Sequence, residues 1–368
     1  MSFAQKLIAW QRRHGRHGLP WQGSRDPYRV WLSEVMLQQT QVATVIPYYE
    51  RFLQRFPKIE RLAAATEDEV LRLWSGLGYY ARGRNLHKAS RVLVRGFPRT
   101  APQIAELPGV GRSTAAAIAV FAFGERAAIL DGNVKRVLSR VFGVTREERL
   151  WVLAEKLLPH RQVETYTQAL MDLGATVCTR APDCAACPVK GDCTARKSNR
   201  IHELPAARSR KPLPMRETTW FVHLHAGKVL LERRPSPGIW GGLLCFPEKR
   251  LARGTTTQLP VIEHGFTHFR LRIHPLAVDV KHARGPGWID LAAAASAAVA
   301  APVRTLLQEL RSAAPGAQAD RRARAAPASP AAAAAGARRG GRSPRRKNRD
   351  GAGARGATGA RRSRARAA

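Results

Sequence analysis

The sequence predicts a mainly α N-terminal domain, a smaller α+β domain after it, and a disordered basic tail. Three observations carry this reading. Apolar residues recur at helical spacing through residues 1–200, broken by short Pro/Gly stretches such as "RFPKIE", "SGLGYYARG" and "RGFPRTAPQ". From residue 217 the period changes: "TTWFVHLHAGKVLLERR" alternates around a turn-like "AGK", as a strand hairpin does, and "FTHFRLRIHPLAVDV" alternates again. From residue 311 the chain is Ala, Arg, Gly, Pro and Ser, with 16 Lys/Arg against 2 Asp. Such a segment lacks the apolar side chains that offset the entropy of ordering.

The domains expected are therefore 1–200 (helical), 201–216 (a linker rich in proline and basic residues), 217–310 (mixed) and 311–368 (tail). A hydrophobic content of 44% over 368 residues is enough for a sizeable core. Lys and Arg number 62 against 27 acids, a formal charge of +35, and without the tail residues 1–310 still carry +21. The natural partner is a polyanion, nucleic acid first and an anionic membrane surface second. No run of about 18 apolar residues suggests a membrane span. The first residues, "MSFAQKLIAWQRRHGRHGLPW", lack the pattern of a signal peptide. Five cysteines, four of them between 178 and 193 and Cys245 apart, suit a reducing compartment and a metal site better than a disulfide framework. A cytoplasmic protein is expected.

In chain order, "WLSEVMLQQTQVATVIPYYERF" reads as helix, with Glu34 beside Val35, Met36 and Leu37. A carboxyl buried there would have its pKa raised and could act as an acid. "WSGLGYYARGRN" sets Tyr79 among glycines and arginines, which suits stacking on bases or plain core packing. "AELPGVGRSTAAAIAVFAFG", residues 105–124, is a tight hairpin leading into a small-residue helix. Gly109 and Gly111 let the backbone approach a ligand, and the amides around Ser113 face an anion. This is a helix–hairpin–helix signature that grips phosphate without reading sequence; the bland alternative is a turn that binds nothing. In "ILDGNVKRVLSR" Asp131 opens a helix that carries Lys135, and by itself it reads as an N-cap. "CTRAPDCAACPVKGDC" places Cys178, Cys184, Cys187 and Cys193 with gaps of five, two and five. One CxxC flanked by single cysteines resembles a [4Fe–4S] loop more than the paired CxxC of structural zinc, although zinc and free thiols stay open.

Together the cysteine loop, "LPGVGRSTA" and Asp131 resemble the endonuclease III superfamily of DNA glycosylases, and "VWLSEVMLQQTQVATVIPYYERF" with "LWSGLGYYARGRNLHKA" is similar to its MutY adenine glycosylase family. The likeness is dense over residues 5–200. It is weaker over 217–280, where "GIWGGLLCFP" and "HGFTHFRLRI" resemble the family's Nudix-related C-terminal domain, without an intact Nudix catalytic box. The resemblance implies a helix–hairpin–helix glycosylase fold with a [4Fe–4S] loop at the four cysteines, joined to a Nudix-like lesion-recognition domain. It further implies a monomer acting on double-stranded DNA at the nucleoid, removing adenine opposite 8-oxoguanine or guanine. Glu34 would protonate adenine N7, and Asp131 would stabilise or attack the sugar cation. Gln38 and Tyr79 would enter the base stack, Leu19 and Trp21 would line the base pocket, and Phe266, Thr267 and His268 would read the lesion. Ser113 stands where lyase relatives carry a lysine, so a monofunctional enzyme is expected. The chain departs from the family's usual pattern in two places: the first cysteine gap is five rather than six, and Thr267 stands in place of serine.

Two other readings compete. One is a glycosylase with lyase activity on oxidised pyrimidines or mismatches, opposed by Ser113, Glu34 and the second domain. The other is a non-enzymatic DNA-binding module, opposed by the pairing of Glu34 with Asp131. No motif points to a protein partner.

Overall fold

A computed structural model of the chain describes residues 1–206 and 212–313. Most of the tail expected over 311–368, and the middle of the expected linker, lie outside the described residues.

The N-terminal part is helical throughout. Its helices start where local chemistry offers the free amides a partner. Ser2 and Thr66 form capping boxes with Gln5 and Glu69. Pro27 opens the Pro27–Leu37 helix behind Asp26, whose carboxylate accepts from the Tyr28 amide at 2.9 Å. The hairpin joins a short helix, Ala101–Ala105, to Arg112–Phe123, with Gly109 at φ 76°. A side chain at Gly109 would press on Asn85 at 2.8 Å. The Val163–Asp172 helix runs straight into a π-helical turn, Leu173–Val177, which delivers Cys178.

Two apolar cores divide this part. The first gathers Trp31, Met36, Phe52, Phe56 and Trp74 and continues into Trp220, Phe246 and Leu307 of the C-terminal part. The second gathers Leu7, Val137, Leu150, Tyr166 and Leu173 with Val189 and Ala195 of the cysteine loop. The Arg112–Phe123 helix serves both, giving Ala115, Ile118 and Ala119 to one and Ala116, Ala117 and Val120 to the other. Its small side chains permit close approach on two faces. Each large apolar side chain so buried contributes roughly 1.5–3 kcal/mol.

The C-terminal part is a mixed sheet with helices. Its strands are β1 (Met215–His225), β2 (Lys228–Leu230), β3 (Glu232–Arg233), β4 (Leu244–Cys245), β5 (Thr255–Gln258), β6 (Ile262–Gly265), β7 (Arg270–Asp279) and β8 (Trp288–Asp290). The main sheet has the order β5-β7-β1-β2-β8, with β6 also on β7, while β3 and β4 pair separately. β1 and β7 run parallel, from Met215 opposite Arg270 to Leu224 opposite Asp279. The expected hairpin is there: His225 faces Lys228 across Ala226 and Gly227, both at positive φ. Two boundaries differ from the sequence reading. β1 begins at Met215 because Met215 and Arg216 pair with Arg270 and Leu271, and the Ala301–Ala313 helix passes residue 310 because Val303, Leu306 and Leu307 anchor it.

The sheet region is bonded to the helices. Arg233 makes two 2.6 Å contacts with the Asp68 carboxylate, Arg84 donates to the Gly241 carbonyl at 2.6 Å, and Ser75 Oγ donates to the Val299 carbonyl at 2.8 Å.

Candidate active site

Glu34 lies on the last turn of Pro27–Leu37, a helix otherwise buried in the first core. Asp131 caps Gly132–Phe142, a helix of the second core. The two carboxylates thus come from opposite halves of the helical region and line one cleft of about 940 Å³. Burial, with a smaller push from the Asp131 charge, lifts the Glu34 carboxyl to about 8. It therefore holds its proton at neutral pH, as a general acid must. Burial raises Asp131 as well, but the amides of Val134 and Asn133 and the charge of Arg136 favour its ionised form. Asp131 does serve as an N-cap, accepting from the Val134 amide at 2.7 Å. The capping role and a place in the cleft coexist in one side chain. Two carboxyls in different surroundings, one without an anion-stabilising partner and one accepting from backbone amides, can protonate a leaving group and stabilise a cation.

Leu19, Trp21 and Gln38 line the same cleft, as do Gly111 and Ser113. Ser113 Oγ accepts from the Leu130 amide at 3.0 Å, which ties the hairpin helix to the segment that enters Asp131. Gln38 Nε2 donates to the Gly109 carbonyl and to Thr114 Oγ1, each at 3.2 Å. The remaining sequence-derived candidates stand elsewhere. Tyr79 is half exposed at the start of the Tyr80–Leu93 helix. Lys135 is paired with Glu147. Phe266 packs against Trp240, His264 and Phe269, and its amide bonds the Phe269 carbonyl at 2.9 Å, so Thr267 and His268 stand exposed on a turn.

Sequence reasoning missed Asp172. It is fully buried under the cleft and takes hydrogen bonds from Gln11 Nε2, Arg16 and Gln168 Nε2. Its presence in the apolar run "ALMDLGA" was the available signal. Arg82 was missed too, its role depending on contacts remote in sequence.

Cys178, Cys184, Cys187 and Cys193 share the wall of a second cavity, and none is in a disulfide. Among the described residues no group of three or more His, Cys, Asp or Glu is already arranged to hold a metal ion. The donor set nevertheless fits a thiolate-bound group. Burial pushes the thiols of Cys178 and Cys187 up, the latter to about 11, against the thiolate form that a metal would draw out, while Arg140 favours that form from 3.5 Å at Cys178 Sγ. Arg136 connects this loop to the Asp131 helix, donating to the carbonyls of Cys178 and Gly174 and to Asn133 Oδ1. Gly174 is required there, since a side chain would meet Asn133 at 2.6 Å.

Residues 32–159 match the HhH-GPD superfamily of base excision DNA repair proteins, and residues 219–309 match the NUDIX domain. The chain is 41% identical over 257 residues to an adenine DNA glycosylase of Buchnera aphidicola subsp. Baizongia pistaciae, covering 67% of this chain and 73% of that protein. It is 33% identical over 346 residues to that of Buchnera aphidicola subsp. Schizaphis graminum, covering 83% and 98%. With the human adenine DNA glycosylase it shares 44% over 229 residues, 56% of this chain and 42% of that one. Among solved structures, a thermostable thymine-DNA glycosylase superposes with a TM-score of 0.50 at 29% identity, over 53% of this chain and 95% of that chain. With the length of the Buchnera enzymes spanned so fully, the chain belongs to the adenine DNA glycosylase family of base excision repair enzymes.

Proposed function

We propose that this enzyme removes adenine mispaired with 8-oxoguanine or guanine in duplex DNA, hydrolysing the N-glycosidic bond without cutting the strand. The observation that carries this is the pair Glu34 and Asp131 lining one cleft, the first lifted by burial to about 8 and the second, also raised by burial, accepting from two backbone amides near Arg136.

Adenine leaves the stack, at a cost of a few kcal/mol, and enters the cleft past Leu19 and Trp21. Glu34 gives its proton to N7. The C1′–N9 bond breaks with its electron pair going to the base, and the positive charge on the sugar falls to Asp131. Water then adds at C1′, either to the cation that Asp131 has held or with the C1′–Asp131 bond breaking back to the carboxylate, and the proton the water loses returns to Glu34. Ser113 has no amine for a Schiff base, so elimination does not follow. Gln38 and Tyr79 fill the vacated stack, and the amides at Gly109, Gly111 and Ser113, with Lys135, hold phosphates. Phe266, Thr267 and His268 contact the opposite-strand lesion.

Cys178, Cys184, Cys187 and Cys193 would hold a [4Fe–4S] cluster. What such a cluster supplies is four metal–thiolate bonds that close the loop against the Asp131 helix. The family likeness and the basic charge support action as a cytoplasmic monomer on nucleoid DNA.

The test is a duplex with A opposite 8-oxoguanine, incubated with enzyme and then treated with or without alkali. Breaks only after alkali support the proposal. Breaks without alkali indicate a lyase, and intact DNA in both arms rejects the adenine assignment.

A further inference from the structure

Gln38 and Tyr79 belong to different segments, and neither segment is regular backbone. Gln38 ends the Pro27–Leu37 helix and is followed by Gln39 at φ 55°. Tyr79 precedes the Tyr80–Leu93 helix at φ 48°. A non-glycine residue in the left-handed region costs on the order of 1–3 kcal/mol and persists only where neighbours enforce it.

One side chain touches both segments. Arg82 Nη1 donates to the carbonyls of Val35 (3.1 Å), Met36 (2.8 Å) and Gln38 (2.5 Å). Its Nη2 donates to Thr40 Oγ1 (2.9 Å) and to the carbonyls of Leu77 (3.4 Å) and Gly78 (3.3 Å). The guanidinium also lies 5.4 Å from the ring centres of Tyr79 and of Trp74. Arg82 is buried, and these partners are carbonyls, a hydroxyl and aromatic rings rather than a carboxylate. A buried cation held only by dipoles is costly to desolvate. Capping a helix C-terminus does not demand it, since glycine does that without a charge. Only a planar fork has donors enough to serve two segments at once; a lysine ammonium is a single point.

We propose that Arg82 is a positioning residue for base flipping: it clamps the Gln38 and Tyr79 segments at a fixed separation, so that both side chains enter the duplex together. This rests on the reading above that Gln38 and Tyr79 enter the stack. Tyr79 is 49% exposed with its ring against the clamp, and Gln38 is steadied from the other side by the hairpin at Gly109 and Thr114. Misplacing such groups by about 1 Å can cost on the order of a hundredfold in rate.

The test is Arg82→Lys in the full chain, under single-turnover conditions. Adenine release from an A:8-oxoguanine duplex should fall at least about tenfold. Release of the same adenine flanked by mismatches, which are already unstacked, should fall less than about threefold, because Arg82 bonds neither the Glu34 nor the Asp131 side chain. In a Gln38→Ala/Tyr79→Ala background, Arg82→Lys should cost nothing further. An equal loss on both duplexes, or an additive loss in the double-alanine background, overturns the proposal. If Gln38→Ala and Tyr79→Ala each keep the full rate, the reading of those two side chains has failed and the clamp falls with it. Thermal melting monitors folding. Should Arg82→Lys not fold, Thr40→Val removes one arm of the clamp and is put through the same two comparisons, with the same outcomes supporting or overturning it.

Discussion

At the scale of single residues, the proposed chemistry turns on one proton. Glu34→Gln keeps shape and loses the acid, so lesion duplex should still bind while adenine release drops by about 10²–10⁴-fold. A single-turnover rate within about threefold of the parent would reject Glu34 as the acid. The raised carboxyl also has a stability signature. Between the usual carboxylate value near 4.5 and about 8, the folded state keeps a proton that the unfolded chain has lost. Stability should therefore fall as pH rises through that window. Glu34→Gln, free of the penalty, should gain roughly 2–5 kcal/mol on wild type at pH 8.5 and nothing at pH 4, measured by urea unfolding. Asp131→Asn separates the two duties of that side chain: asparagine caps a helix as well as aspartate does, so melting should hold while adenine release collapses. Retained release would leave Asp131 as a cap only. Glu34 was legible in the sequence because an acid amid Val35, Met36 and Leu37 breaks an apolar pattern. Arg82 was not, because it sits among other arginines in "YYARGRN", and its value lies in carbonyls more than forty residues away.

At the scale of elements, the hairpin and the strands were the easiest to read. Leu-Pro-Gly-Val-Gly admits few backbone paths, and "HLHAGKVLL" changes period around its own turn. The π-helical turn at Leu173–Val177 gave no such cue, since helical spacing alone does not distinguish one extra residue in a turn. The parallel pairing of β1 with β7 was equally hidden, because it joins strands about 55 residues apart through contacts that have no local signature. The cysteine loop yields a direct measurement. Purified protein should be yellow-brown, absorb broadly near 400 nm, and carry about four irons per chain. One zinc per chain and no iron would assign the four thiols to a mononuclear site instead.

At the scale of the whole molecule, the last 58 residues carry 16 basic side chains against 2 acids. The Ala301–Ala313 helix shows where a clean cut belongs: after residue 313, leaving Leu306 and Leu307 seated. Removing residues 314–368 should weaken binding to undamaged duplex and flatten the dependence of log affinity on log salt, by releasing fewer counterions. Preference for the lesion should stay or rise, and the rate at saturating enzyme should not change. Lost preference with an unchanged salt slope would make the tail a specific recognition element. The two cores have a consequence of another kind. Glu34's half shares its interior with the sheet, and Asp131's half shares its interior with the cysteine loop. The cleft shared by Glu34 and Asp131 therefore lies on a seam between two cores that the Arg112–Phe123 helix joins. Damage to the sheet should first loosen Glu34, and damage to the thiol loop should first loosen Asp131. Sequence changes far apart in the chain would thus converge on the same inactive phenotype from opposite walls of one cleft.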